Sequence, residues 1–318
     1  CQIKLFIWEI FSQYTASNTN MTYNKLQFSS LLILLGCWSS GCKNTSSTEV
    51  TAEAVSVRDV WTEEQAREWY QERPWLRGAN FLPSTAINQL EMWQAETFDT
   101  ATINRELGWA ADIGMNAMRV YLHHLAWEVD PEGFKQRMDQ YLSIADKHDI
   151  STLFVFFDDC WNPTYKAGKQ PDPKPGIHNS GWVRDPGDLL HADTTLFVTL
   201  EKYVKDVLTD FRDDERIVLW DLYNEPGNSG YGNKSMPLLK KVFHWAREIN
   251  PSQPLSVGVW NAKLKELGAY QLENSDVITY HNYSDPQTHQ DWIDSLRTHN
   301  RPLICTEYMA RTRNSLFK

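Results

Sequence analysis

Seven short apolar runs recur along the chain from Trp61 onward, and segments with helical patterning separate them. The runs predict strands at Leu76–Phe81, Asn116–Leu122, Thr152–Phe157, Ile217–Leu222, Leu255–Val259, Val277–Tyr280 and Leu303–Thr306. Apolar strands that alternate with helices are typical of a parallel sheet covered by helices. No glycine-rich phosphate-binding turn follows the first run, and the number of repeats approaches eight. The pattern therefore favours a (β/α)8 TIM barrel over an open sheet.

Two of the predicted helices carry clear start signals. Thr62 lies three residues before Gln65, which is a capping-box pattern, and Asp130 precedes Pro131. Other helices are expected at Thr102–Ile113, Thr194–Phe211, Ser235–Asn250, Ala262–Ala269 and Pro286–His299. About a dozen residues follow Thr306, which is fewer than two helices and an eighth strand need. The fold class predicted for residues 61–318 is thus α/β, a TIM barrel that lacks its last strand and helices.

Residues 21–42 have the order of a secretory signal. Lys25 begins it, an apolar run follows at 28–35, and small residues precede Cys42; the run is too short to span a membrane. The ending SSGC resembles a bacterial lipoprotein signal, in which Cys42 is lipidated; Cys37 is a second candidate, and a cleaved signal without lipid is the alternative. This interpretation makes residues 1–20 upstream translation, residues 43–60 a solvated tether, and the protein a secreted lipoprotein of the bacterial cell envelope.

The composition narrows the class of partner. A formal net charge of −10 provides no basic face for phosphates, so nucleic acid is not an expected partner. Contact with a membrane is expected through the lipid anchor only. Fourteen Trp and thirteen Tyr are compatible with stacking on sugar rings and equally with a large aromatic core.

Polar residues at the ends of the predicted strands are the candidates for chemistry, because barrel active sites gather at the carboxyl ends of the strands. Glu225 follows the fourth strand and Glu307 the seventh. Two carboxyl groups about 5–5.5 Å apart cleave glycosidic bonds with retention when one is protonated and the other is ionised. We expect Arg119 to keep Glu307 ionised, and burial beside Glu307 to raise the pKa of Glu225.

Three segments, IVLWDLYNEP, VITYHNY and LICTEY, together resemble the clan A glycoside hydrolases, and most closely the cellulase-like enzymes of family five. The resemblance covers about Trp61 to Arg313. It implies a retaining hydrolase of β-mannan, xylan or β-glucan that needs no metal or organic cofactor. It also implies a role for each of six residues: Glu225 is the acid/base, Glu307 the nucleophile, Asn224 a ligand of the sugar 2-hydroxyl, Tyr283 a support of the nucleophile, His281 a neighbour of the acid/base, and Arg119 the arginine beneath the nucleophile.

Further candidates flank these residues. His123 shares a strand face with Arg119 and is expected to contact substrate, whereas His124 is expected to face a helix or solvent. Since neighbours on a strand face opposite ways, a metal shared by the two histidines is not expected. A metal held by Asp158, Glu225 and Glu307 is likewise disfavoured, because the fifth strand ends in Trp260 and Asn261.

The connection at residues 159–193 is long for a compact domain and is expected to form a wall of the substrate cleft. In this wall Trp161 is the first candidate for stacking on a sugar, and Trp260 is another. Asp158 is expected either to bind substrate or to anchor its own loop.

Cys160 and Cys305 are expected to be free thiols, with no activating base nearby and with Cys305 packed beneath Glu307.

Two rival functions use the same sequence features. A non-catalytic glycan-binding lipoprotein on a degenerate barrel is favoured by the absent eighth strand. A transglycosylase needs the same two glutamates and differs only in its products. Glu225 and Glu307 could also be ordinary salt-bridge residues. The sequence does not distinguish among β-glycans, or between endo and exo cleavage.

Overall fold

The computed structural model describes residues 57–188 and 195–308, together with the backbone of Lys4–Phe6. The chain divides into two units, residues 10–55 and the remainder. The predicted signal at 21–42 and most of the predicted tether lie outside the described residues. The described strands and helices all belong to the larger unit.

Within the part of the chain that the structure describes, seven parallel strands follow one another in chain order. They are β1 (Gly78–Asn80), β2 (Ala117–Tyr121), β3 (Ser151–Asp158), β4 (Ile217–Asn224), β5 (Leu255–Ser256), β6 (Ile278–Asn282) and β7 (Leu303–Tyr308). β1 to β5 form one parallel sheet and β6 pairs with β7, while a parallel bridge between Val259 and Tyr280 links the two groups. The short strand Lys4–Phe6 pairs antiparallel with β1. Within the described residues no ladder joins β7 directly to β1.

Helices occupy the connections between the strands. They are α1 (Glu63–Gln71), α2 (Gln89–Trp93), α3 (Thr100–Asp112), α4 (His124–Val129), α5 (Pro131–Lys147), α6 (Leu196–Asp210), α7 (Met236–Ile249), α8 (Lys265–Asn274) and α9 (Pro286–Arg297). The predicted starts are confirmed: Thr62 forms a capping box with Gln65, and Asp130 caps α5. The short helices α2 and α4 were not predicted. This alternation of strands and helices confirms the α/β barrel fold class.

Apolar packing separates the two ends of the barrel. The main core lies between the strands and their helices and includes Trp93, Tyr141 and Trp220. A smaller cluster joins Trp69 of α1 to residues near the amino ends of the strands, such as Leu153. Apolar side chains thus pack together near the amino ends of the strands. No described helix is long and apolar enough to span a membrane.

Candidate active site

The two predicted carboxylates meet at the carboxyl ends of β4 and β7. One oxygen of Glu225, one oxygen of Glu307 and a ring nitrogen of His281 all lie within 4.8 Å of one another. His281 lies between the carboxylates: its Nδ1 is 2.8 Å from Oε1 of Glu225 and 4.0 Å from Oε2 of Glu307. All three side chains are largely buried, so the two carboxylates interact more strongly than they would in bulk water.

Backbone irregularities aim both glutamates into the site. Glu225 has φ +46°, a left-handed conformation that is uncommon outside glycine and that often occurs at functional sites. In β7 the pairing register shifts, so that Tyr280 faces Cys305 while His281 faces Glu307. This bulge turns Glu307 inward although Cys305 packs outward with Ile293 and Leu296 of α9. The prediction that Cys305 lies beneath Glu307 was wrong, because strand alternation does not continue through a bulge.

Donors surround both oxygens of Glu307. Oε1 accepts hydrogen bonds from Asn80 Nδ2 at 2.9 Å, Arg119 Nη1 at 2.9 Å and the Tyr121 hydroxyl at 3.0 Å, while Oε2 accepts from the Tyr283 hydroxyl. A carboxylate with this many donors and a guanidinium partner is favoured in its ionised form. Asn80 and Tyr121 are two contacts that the sequence analysis did not assign.

Arg119 connects the nucleophile candidate to β4. Its side chain is fully buried; its Nε and Nη2 donate to Asp221 Oδ2 at 3.0 and 2.6 Å, and Nη2 also donates to Asn224 Oδ1 at 2.8 Å. The carboxylates of Asp221 and Glu307 outweigh burial and raise the pKa of Arg119. The expected contact between Arg119 and Glu307 is therefore present, and Asp221 is its second partner. A lone acid inside an apolar strand was the sequence signal for Asp221.

Glu225 also accepts three hydrogen bonds. They come from His281 Nδ1 to Oε1, and from Asn228 Nδ2 at 2.5 Å and Cys160 Sγ at 3.2 Å to Oε2. Burial raises the pKa of Glu225, but the hydrogen bond and charge of His281 outweigh burial and the nearby Glu307, so the pKa is lowered. The predicted rise was wrong because it left out these donors. Burial and the negative charge of this carboxylate raise the pKa of the Cys160 thiol, so the contact does not activate the thiol, in line with the expectation that no activating base lies nearby.

Asp158 lies behind this pair and is almost completely buried. Its Oδ1 accepts from Asn224 Nδ2 at 2.7 Å and from the Cys160 backbone N–H at 2.9 Å, and burial raises its pKa to about 8. Of the two predicted roles, these bonds fit an anchor of the adjoining loop. Asp158 also fixes the amide of Asn224, whose oxygen faces Arg119.

The two adjacent histidines, at the start of α4, contact the connection after β3. His124 is buried, and its Nδ1 contacts a carboxylate oxygen of Asp185. The ring of His123 stacks on that of His124, with centroids 5.3 Å apart. The prediction that the two rings face opposite ways was wrong, because His124 begins α4 and strand alternation stops there. His123 Nδ1 caps Leu125, and its Nε2 contacts the Arg184 carbonyl. A substrate contact for His123 stays a prediction.

The connection after β3 forms backbone bridges within its described part. Its described part, residues 159–188, forms bridges between Asp158 and Asp185 and between Asn162 and Val183. Gln89 of α2 donates to the Val183 carbonyl at 2.5 Å. A backbone bridge thus attaches the expected wall to β3, and a hydrogen bond attaches it to α2 in the connection after β1.

Aromatic side chains of this wall lead toward Glu307. Trp161 is half-buried and packs edge-on against His178 and Trp182, and Trp182 packs edge-on against Tyr121, with centroids 5.9 Å apart. Tyr121 in turn contacts Glu307. On the other side, Trp260 is half-buried and donates to the Pro226 carbonyl at 3.1 Å. Both predicted tryptophans therefore lie near a catalytic candidate, and sugar stacking by them stays a prediction.

Among the described residues, two groups of side chains have donor atoms close enough for a metal, namely Glu225 with His281 and Glu307, and His123 with His124 and Asp185. In the first group the guanidinium of Arg119 already neutralises Glu307. In the second, backbone groups occupy both ring nitrogens of His123. Neither donor set suits a divalent cation, which needs free lone pairs from several ligands.

Comparisons with known proteins agree with the fold. The family model described as Cellulase (glycosyl hydrolase family 5) matches residues 80–316. The exo-β-1,4-mannosidase Op5Man5 from Opitutaceae bacterium strain TAV5 is similar, with a TM-score of 0.52 and 18% identity over 72% of this chain but only 44% of that one. The endo-1,4-β-mannanase from Rhizomucor miehei has a TM-score of 0.49 and 16% identity, over 71% of this chain and 76% of that one. No curated protein sequence matches.

Proposed function

Because the chain belongs to the cellulase family, glycosyl hydrolase family 5, we propose that it is a retaining glycosidase that cleaves β-linked glycans. The observation that carries this proposal is the pair of carboxylates at the ends of β4 and β7, with oxygens of Glu225 and Glu307 within 4.8 Å of each other. Inverting enzymes separate their carboxyl groups by roughly 6.5–9.5 Å to admit a water molecule, and retaining enzymes by about 5–5.5 Å. The close pair favours retention by double displacement.

Glu307 is the proposed nucleophile. Its carboxylate attacks the anomeric carbon while Glu225 gives a proton to the departing glycosidic oxygen, so that the glycosidic bond breaks and the sugar becomes bound to Glu307. Glu225 then takes a proton from water, whose oxygen attacks the same carbon and releases Glu307. Asn224 is the proposed ligand of a sugar hydroxyl, and its contacts with Arg119 and Asp158, which fix its amide, support this role.

The first step needs Glu225 in its protonated form. Its Oε1 lies 2.8 Å from His281 Nδ1, and the hydrogen bond and charge of His281 lower the pKa of Glu225. When substrate displaces water, the ionised form of this buried carboxyl becomes less favourable, which favours the protonated form that acts as the acid.

Glu307→Ala tests the nucleophile. With the full-length protein and a panel of β-mannan, xylan, cellulose and mixed-linkage β-glucan, we expect the wild type to release reducing sugar from at least one polymer. The substitution is expected to lower kcat by about 10⁴-fold or more, because the covalent step is lost. Added azide restores turnover on an activated aryl glycoside and yields the inverted glycosyl azide.

Two results would contradict the proposal. One is hydrolysis by the Glu307→Ala protein at a rate near that of the wild type. The other is tight binding of a glycan by the wild type without cleavage, which fits a glycan-binding protein on the same fold. The proposed location is the bacterial cell envelope, reached through the lipoprotein signal at residues 21–42, and it rests on sequence alone.

A further inference from the structure

Cys160 occupies a position that the proposed mechanism does not use. Its side chain is buried two residues beyond the end of β3, and its sulfur lies 3.2 Å from Oε2 of Glu225. A buried cysteine usually acts as a small apolar group. Here the sulfur faces a carboxylate oxygen and the amide of Asn224, whose Nδ2 lies 3.5 Å away.

The direction of the hydrogen bond is set by the surroundings. Burial and the negative charges of Asp158 and Glu225 raise the pKa of the Cys160 thiol well above its usual value, so the thiol keeps its proton. A protonated thiol beside an ionised carboxylate donates to it. Oε2 of Glu225 therefore has two donors, Cys160 and Asn228, while Oε1 has His281.

The backbone holds the thiol in place. Asp158 Oδ1 accepts from the Cys160 N–H at 2.9 Å and from Asn224 Nδ2 at 2.7 Å. The Asp159 N–H donates to the Asn224 carbonyl at 3.3 Å. Asp158 and Asp159 thus both bind Asn224, the last residue of β4, and Glu225 follows Asn224 immediately.

We propose that Cys160 is a positioning residue for the proton donor: its thiol fixes Oε2 of Glu225 and, as a weak donor, does so without binding the carboxylate as tightly as a hydroxyl would. The inference rests on the proposed function, since it assigns a role through the acid/base of that reaction. The Glu225 carboxyl is then held by donors from three elements: β6, the segment after β4, and the end of β3.

Several other groups face Glu225 and are left unchanged by the test. They are His281 and Tyr283 from β6 and the residues after it, Glu307 from β7, Asp158 from β3, and Asn228 from the segment after β4. Substitutions of Cys160 change only the thiol that donates to Oε2 of Glu225. A change in the pH profile of kcat/KM therefore reports on that contact.

Cys160→Ser and Cys160→Ala test the proposal in opposite directions. In Cys160→Ser the hydroxyl donates more strongly and lowers the pKa of Glu225. The basic limb of the pH profile of kcat/KM is therefore expected to shift to lower pH by about half a unit. Alanine removes the donor, raises the pKa of Glu225 and moves the limb up by about half a pH unit. The limb is measured with the phenyl β-glycoside of a mannobiose, xylobiose or cellobiose unit, whichever the wild type cleaves.

A second readout separates positioning from a general loss of packing. Departure of 2,4-dinitrophenol needs little acid catalysis, whereas departure of phenol needs it. We expect Cys160→Ala to lower kcat/KM about tenfold on the phenyl glycoside and less than about twofold on the dinitrophenyl glycoside. Cys305→Ala is the matched control, because the hydrogen bond of that buried thiol goes to the backbone carbonyl of Glu307, 3.6 Å away, rather than to Glu225.

Three results would overturn the inference. They are a basic limb that stays at the wild-type pH in both variants, an equal loss on the two aryl glycosides, and a limb that Cys305→Ala moves as far as Cys160→Ala does. Cys160→Ser keeps the size of the side chain, so the test remains valid even if the alanine variant is unstable. A wild-type protein that cleaves none of the glycosides would overturn the proposed function itself.

Discussion

Arg119 shows how a single residue connects the stability of the barrel to its site. It is fully buried and contacts two acids, Asp221 at 2.6 Å and Glu307 at 2.9 Å. Buried charges are tolerated when they are paired and hydrogen-bonded, and removal of one partner leaves the others uncompensated. The guanidinium of Arg119 therefore pairs with Glu307, which is proposed to react, and with Asp221, which has no proposed role in the reaction.

Replacement of Arg119 by Met is expected to destabilise the fold as well as abolish activity. The free energy of unfolding should fall by about 3–5 kcal/mol, because Asp221 and Glu307 are left buried without a cation. Urea unfolding followed by tryptophan fluorescence measures this. Arg119→Lys is the control: it restores the charge without the planar fork and should recover part of the stability and little of the activity. Unchanged stability of Arg119→Met would contradict the paired-charge interpretation.

At the scale of elements, sequence patterns predicted all seven described strands. A strand buried on both faces needs a run of apolar residues, and such a run is visible in the sequence itself. They did not predict the bulge in β7, since register is set by the neighbouring strand. Neither the left-handed turn at Glu225 nor the start of α4 at His124 follows from strand alternation. The site residues that lie at the carboxyl ends of strands were predictable from the sequence. The contacts of Cys160 and Asn228 with Glu225, and of Asp221 with Arg119, were missed, because only tertiary packing forms them.

The wall after β3 depends on Asp185. This buried carboxylate accepts from the His124 backbone N–H at 2.7 Å and pairs with the His124 ring, and its backbone bridges Asp158. We expect Asp185→Ala to release the wall from α4. Limited proteolysis within residues 161–184 should become about tenfold faster, and KM should rise more than kcat falls, because the wall is proposed to hold substrate rather than to react.

Asp188→Ala is the matched control for Asp185→Ala. Asp188 belongs to the same connection, but it is exposed and contacts Arg184 and Tyr231 rather than α4. Its substitution should leave cleavage rates and KM close to those of the wild type. Equal protease resistance of the Asp185→Ala protein and the wild type would show that this carboxylate does not hold the wall.

For the whole molecule, buried acids at the site oppose stability at neutral pH. Burial raises the pKa of Asp158 to about 8 and that of Asp159 to about 6, whereas burial lowers the pKa of His123 to about 4. Each acid binds more protons in the folded state, so its contribution is lost as pH rises through its folded pKa. His123 has the opposite sign, since the unfolded chain binds its proton below about pH 6.5. Above that pH, Asp158 is the group among these three that still titrates.

The free energy of unfolding should therefore fall between pH 6.5 and pH 8, by up to about 1.4 kcal/mol per pH unit. Asp158→Asn replaces the carboxyl with an amide whose oxygen still accepts from Asn224 and Cys160, and it removes the titration. We expect the stability of this variant to change little over the interval, so that it exceeds that of the wild type by about 1–2 kcal/mol more at pH 8 than at pH 6.5. Urea unfolding at the two pH values measures the difference, and parallel curves for the two proteins would mean that Asp158 is already ionised at pH 6.5.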